Sequence, residues 1–356
     1  MNILRIRVTV GMLSLVCLSA NAVAETATSR IVTAATAFLS TLDEKQRKNV
    51  SFAYDDEQQR KRWSNFPITI VPRAGISMGE MNPAQRSAAM ALVSSALSPR
   101  GLEKVQQIMD ADEVLKNTDG GRGRGGPPGA PQGGRGRGGG GGLLFGKDLY
   151  YISILGTPSE KTPWMLQFGG HHLALNITII GERGILTPTL TGAQPALYTL
   201  NGKTVRPLGQ ESDKALALLN SLNENQRKQA ILSFRLADLV LGPGQDGKTI
   251  QPEGLKASDM NDKQRAALVD VIAEWAGIVH ESAAAARMAE LKSEINDTWF
   301  AWSGPVTATP GSNITAYYRI QGPHLVIEYA PQQMGGDPGL HVHTMYRDPT
   351  NDYGRK

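Results

Sequence analysis

His341-Val342-His343 is the stretch of this sequence best suited to chemistry. On a strand, residues two apart project from the same face. The two imidazoles then stand side by side, and imidazole is neutral enough near pH 7 to bind a divalent ion without prior ionisation of a harder acid. Leu340 and Val342 take the opposite face. The spacing alone also suits two polar residues on a solvated strand, so the question turns on further ligands.

The segment ahead offers some. In His324-Leu325-Val326-Ile327-Glu328-Tyr329, alternation puts His324, Val326 and Glu328 on one face. If this strand pairs with the next through the loop Ala330 to Gly339, four ligand-type side chains share a face, with cross-strand neighbours about 5 Å apart. A one-residue slip would turn the two faces away from each other. His171-His172 is a third source. Adjacent strand residues face opposite ways, so one of the two is expected to join a site, and Gly169 and Gly170 allow close backbone approach. The expected metal ligands are therefore His341 and His343, with His172 or His171 and His324 as further candidates. Glu328 and Asp348 are the expected proton carriers. Asp348 and Asp352 sit in a turn-forming stretch, from which either can fold back as an oxygen ligand or as an acceptor for an imidazole N–H.

After Cys17, which lies near the N-terminus, the chain has no thiol, so any transition-metal site must use His with Asp or Glu. Zinc suits imidazole with carboxylate, and copper, iron and nickel remain alternatives. An open coordination position would lower the pKa of bound water towards neutrality, which is hydrolase chemistry. The other class of reading is a non-catalytic protein that binds metal or an envelope component. Gly75-Ile76-Ser77-Met78-Gly79 matches the G-x-S-x-G pattern, but Asn82-Pro83 starts the helix several residues too late for a nucleophile elbow. His280, in an Ala-rich helix, reads as a packing residue. Trp164, Trp299 and Trp302 read as core. The sequence has no P-loop, Rossmann fingerprint, H-E-x-x-H or EF-hand loop.

The start of the chain has the three parts of a secretory signal. Arg5 and Arg7 precede an apolar run from Val8 to Ala20, and Ala22-Val23-Ala24 is a small-x-small cleavage site. Residues 1–24 are expected to be removed, leaving a periplasmic or secreted protein without a stable membrane span. The formal net charge of +4 is carried by two signal arginines and by Arg122, Arg124, Arg135 and Arg137 of a Gly/Arg tract; the remainder is slightly acidic. That tract, Gly120 to Gly142 within an insertion at 118–142, cannot pack a core. No nucleic-acid partner is expected for an exported chain; a small-molecule or envelope-polymer substrate is.

The elements that must position these residues occur twice. LSTLDEKQRK from Leu39 resembles LNSLNENQRK from Leu219, and GISMGEMNPAQR from Gly75 resembles GLKASDMNDKQR from Gly254. Each QR stretch has helix-start chemistry. Strand-rich runs follow in both parts, and Gly170-His171-His172-Leu173 aligns with Gly322-Pro323-His324-Leu325, which sets Asn176 against Glu328. The expectation is an internally duplicated α+β protein, each half a helical segment followed by antiparallel strands, over residues 25–206 and 207–356. The paired LxxLxxxQR and MxxxQR stretches, the GGHH and the ending HVHTMYRDPTNDYG resemble the bacterial family catalogued as domain of unknown function 3500. That resemblance covers the chain after the signal apart from the Gly/Arg tract. It implies domain extent and no activity.

Overall fold

The computed structural model describes residues 25–118, 143–333 and 336–355; residues 1–24, where a signal is expected, and the Gly/Arg tract lie outside them. The chain opens with helices α1 (Ala27–Ser40) and α2 (Glu44–Val50), strand β1 (Ser51–Phe52), helix α3 (Glu57–Arg60) and strand β2 (Ile76–Ser77). Helices α4 (Pro83–Ala96) and α5 (Pro99–Asn117) follow. Then come strands β3 (Tyr151–Leu155), β4 (Trp164–Gly169), β5 (Leu173–Ile180), β6 (Arg183–Leu186) and β7 (Thr189–Ala193), and a small hairpin of β8 (Tyr198–Leu200) and β9 (Lys203–Val205). The second part runs α6 (Gly209–Ser221), α7 (Glu224–Ala230), β10 (Leu255–Lys256), α8 (Asp262–Ala276) and α9 (Glu281–Ser293). It closes with β11 (Trp299–Ser303), β12 (Tyr317–Gly322), β13 (Leu325–Pro331) and β14 (Val342–Arg347).

The QR stretches are capping devices. Asp43, Asn82, Asn223 and Asn261 cap α2, α4, α7 and α8, and in each the glutamine three residues on closes a capping box. The same glutamines then pair across helices, Gln46 with Gln85 and Gln226 with Gln264. The following arginines turn back to carbonyls, Arg47 to Leu39 and Arg227 to Leu219. These residues set helix starts; they face no chemistry. Ser77 likewise spends its hydroxyl on a cap, paired with Glu80.

Among the described residues, one 12-stranded sheet runs in the order β1-β3-β4-β5-β7-β14-β13-β12-β11-β10, with β2 beside β3 and β6 beside β5. Its main ladders are antiparallel, and β1 joins β3 in parallel. The β7–β14 ladder joins the two parts of the chain in mid-sheet, where Thr191 and Thr344 meet hydroxyl to hydroxyl at 2.6 Å. The fold is thus α+β.

Both faces of the central strands are covered, which is why β5, β7 and β14 are buried almost throughout. One face packs on helices: Val342 and Tyr346 join the main apolar core with Leu92 of α4 and Leu268 of α8, and the Trp275 indole donates to Thr344 Oγ1. The other face carries His343, Met345 and Arg347. Loops cover it: Met345 packs with Trp63 and Leu239, and Arg347 meets Asp246. No helix among the described residues is long and apolar enough to cross a membrane.

Candidate metal centre

The centre is built on one row of the sheet. Antiparallel register sets His343 opposite Gly192 on one side. On the other side Leu173 pairs with Thr191, which brings His172, the residue before β5, level with Gly192. Residues opposed across strands share a face. His172 and His343 therefore flank a position that carries no side chain, and their rings close over it. A Cβ at Gly192 would lie 3.1 Å from Cδ2 of His172 and 3.2 Å from Cδ2 of His343. His341, two residues before His343, completes the group as the H-x-H spacing requires.

The three imidazoles converge through the same atom. Nε2 of His341 lies 3.2 Å from Nε2 of His172 and 3.1 Å from Nε2 of His343. A tetrahedral ion with bonds of about 2.0 Å spaces its ligand atoms about 3.3 Å apart. The group could hold a metal ion, and all three residues are buried. It is poorly suited to hydrogen bonding within itself. Nδ1 of His172 lies 3.0 Å from Asp112 Oδ1. A carboxylate only accepts, so that nitrogen carries the proton and Nε2 offers a lone pair. At best one proton on His341 Nε2 serves both neighbours, whereas an ion uses all three lone pairs.

The surroundings orient the rings. Asp112, on α5, is fully buried and accepts from the Tyr150 hydroxyl at 2.7 Å through Oδ2, which leaves Oδ1 for histidine. An Asp-to-His-to-metal chain of this kind fixes tautomer and ring angle. Asn65 Nδ2 lies 3.2 Å from Nδ1 of His343. An ion on Nε2 would put the ring proton on Nδ1, and the Asn65 amide, turned over about its last bond, would then accept it through Oδ1. Burial, reinforced by the neighbouring His171, pushes His172 down to about 4 against the opposing pull of Asp112. Burial and then the other histidines hold His343 well below its ordinary value. Both rings are therefore neutral at pH 7, the form that binds metal. Burial alone would raise Asp112; the contacts with His171 and His172 outweigh it and hold the carboxyl low.

Of the residues expected from sequence, His341, His343 and His172 meet. His171 stands beside them, its ring centroid 3.6 Å from that of His172. Of the adjacent pair, His172 is in the three-histidine group and His171 is not. Both occupy the bend between β4 and β5, outside the strands, so strand alternation does not separate them.

His324, Glu328 and Asp348 do not join the centre. The β13–β14 hairpin forms as expected, with Ala330 opposite His343 and Glu328 opposite Met345. Antiparallel pairing, however, brings only the loop-side ends together. His324, in the turn just before β13, falls at the far end, eight residues from the level of His341 along the ladder or about 26 Å. It is exposed there and pairs with Glu294 at 2.8 Å. Asp348 lies at that same end, 3.3 Å from Arg287 and bonded to Thr350. Asp352 accepts from the Gly247 amide. His280 caps α9.

Glu328 has a structural task. It is fully buried, accepts the amides of Val240 and Leu241 at 2.7 Å each and the Tyr317 hydroxyl at 2.7 Å, and pins the loop over the sheet. Glu328→Ala strands those three donors. The expected cost is about 3 kcal/mol, read as a fall in melting temperature, with metal content per folded chain unchanged.

The fold and centre define an α+β protein with a three-histidine group on a loop-covered sheet face. The chain belongs to the family described as "Protein of unknown function (DUF3500)", which matches residues 24–355. No curated protein and no solved structure matches it.

Proposed function

We propose that the protein is an exported metal-dependent hydrolase whose ion is held by His172, His341 and His343. The supporting observation is that Nε2 of His341 lies 3.2 Å from Nε2 of His172 and 3.1 Å from Nε2 of His343, near the spacing of ligand atoms about a tetrahedral ion. Three protein ligands leave a fourth position for water, the pattern of catalytic zinc sites. The ion would acidify that water and make hydroxide available at neutral pH, so no carboxylate ligand is needed to generate the nucleophile. Asp112 would orient His172. Zinc fits three imidazoles, and copper, iron and nickel are the alternatives.

The second reading, a non-catalytic metal-binding protein, is favoured by the burial of the ligands, His172 having no exposed surface. Cobalt substitution separates the two. If the fourth position is open, azide is expected to change the visible spectrum of the cobalt protein and chelation to abolish hydrolysis of activated esters or phosphoesters. An unchanged spectrum means a closed shell and removes the hydrolase reading. The protein should be purified without a histidine tag, and elemental analysis should find bound transition metal.

Export rests on the three-part N-terminal signal. Intact-mass measurement of the secreted form is expected to begin at Glu25, and recovery of the full chain from the cytoplasm would contradict it. We also infer that the chain arose by internal duplication. Its support is the recurrence of capping boxes, glutamine pairs and edge pairings: β2 lies antiparallel to β3 and β10 to β11, while β1 joins β3 and Ile231 joins Trp302 in parallel. Superposition of the two parts in an experimental structure should place the Gln46 and Gln226 helices, and the Gln85 and Gln264 helices, on each other.

A further inference from the structure

We propose that the protein holds a second metal ion between His171 Nδ1, His172 Nδ1 and Asp112 Oδ1, with the His172 ring shared between the two ions. The sharing rests on the three-histidine reading of the first ion; the second donor set stands on its own geometry. One ligand atom from each of these three residues lies within 4.8 Å of the other two. Asp112 Oδ1 is 3.0 Å from His172 Nδ1 and 3.4 Å from His171 Nδ1. These values bracket the spacing of about 3.3 Å that an ion with bonds near 2.0 Å requires.

Two further observations point to a ligand. Nδ1 of His171 is buried and faces Asp112 Oδ1 at 3.4 Å without the alignment of a full hydrogen bond, its ring held between His172 and Phe145. A buried imidazole nitrogen aimed at a carboxylate without closing a bond is costly unless something else occupies it. Asp112, in turn, is a buried carboxylate facing a phenol and two imidazoles. Buried carboxylates are normally matched by a cation. Orientation of His172 alone accounts for Asp112 and leaves His171 without a role; an ion at this point uses both. The Tyr150 hydroxyl occupies the other carboxylate oxygen, which directs Oδ1 to the ion.

Binding there requires His172 to give up its Nδ1 proton. The proton passes to the buffer, the freed lone pair bonds to the second ion, and the ring bridges the two ions as imidazolate. No electron is transferred. The ions would stand about 6 Å apart, the width of the ring plus two bonds.

The test begins with protein stripped by chelator, reloaded with excess Zn2+ and desalted. Two zinc ions per chain are expected in the wild type, one in His171→Phe, which keeps the ring packing, and one in the His341→Ala/His343→Ala double variant. One zinc in the wild type that persists in His171→Phe and disappears in the double variant would overturn the second ion and leave the three-histidine centre standing. One zinc that disappears in His171→Phe and persists in the double variant would do the reverse. No zinc in any form would overturn both. Copper loading tests the bridge without any substitution. Two Cu2+ ions joined by imidazolate couple magnetically, so the paramagnetic resonance signal is expected to fall well below the copper content. Two coppers with full signal would overturn the shared ring.

Discussion

Replacing both His341 and His343 by alanine is expected to remove one equivalent of bound metal per chain while leaving the protein folded. The reasoning is geometric. The three-histidine group has no cysteine or carboxylate in reserve, and the double change leaves it the single Nε2 of His172. One imidazole does not retain an ion against dialysis, so occupancy of this centre should fall at least about tenfold. The fold should survive, because β14 keeps its backbone ladders to β7 and β13 and its helix-facing residues Val342, Thr344 and Tyr346. Elemental analysis reads the first part and circular dichroism the second. Thermal melting gives an independent check: at a free ion concentration about a hundred times the dissociation constant, the wild type should gain about 2.7 kcal/mol from this centre, and the variant none from it. Unchanged metal content in the double variant would remove the three-histidine centre and the hydrolase reading built on it.

What the sequence showed of this centre followed from short-range geometry. His341 and His343 were legible because a period of two needs no knowledge of the rest of the chain. The helix starts at Asn82 and Asn261 were legible because a capping box lies within four residues. The errors came where the partner was remote. His324 was read on one strand with Glu328, and the pairing of that strand was anticipated, but the strand starts at Leu325 and the direction of the antiparallel hairpin leaves His324 at the wrong end. The adjacent pair His171-His172 was read with strand alternation although it lies in a bend. Asp112 gave no signal at all. It is one acidic residue in a helix of mixed polarity, 60 positions from His172, and only the packing of α5 brings the two together. Its one local clue is position: of Asp110, Asp112 and Glu113 it alone lies on the helix face of Ile108, Ala111 and Leu115, which is enclosed when the helix packs. Asn65 and Gly192 were equally silent, each placed by contacts that the chain closes over more than a hundred residues.

Gly192→Val is the change expected to damage the centre most without touching a ligand. The glycine stands between His172 and His343 in one row of three strands, and the space above it is where the two rings meet. A Cβ added there would approach the Val342 carbonyl oxygen to 2.8 Å and both imidazoles to within 3.2 Å. The carbonyl belongs to the β7–β14 ladder and cannot move without breaking it. The rings must then part, and a displacement of about 1 Å takes the Nε2 atoms out of reach of one ion whose bonds are about 2.0 Å. Overpacking of a closed site costs about 1–3 kcal/mol, and the branched side chain should lie at the upper end. Valine is otherwise a good strand residue, and this separates the prediction from a propensity effect. At Gly181, where nothing lies within 4 Å, a larger side chain meets no neighbour, and Gly181→Asn serves as the control. The expected result is a protein that folds with a lowered melting temperature and binds metal at the three-histidine centre at least about a hundredfold more weakly, a difference of about 2.7 kcal/mol in binding free energy. Isothermal titration with Zn2+ against the control measures it. Wild-type affinity in Gly192→Val would show that the rings do not meet over this residue when the ion is bound.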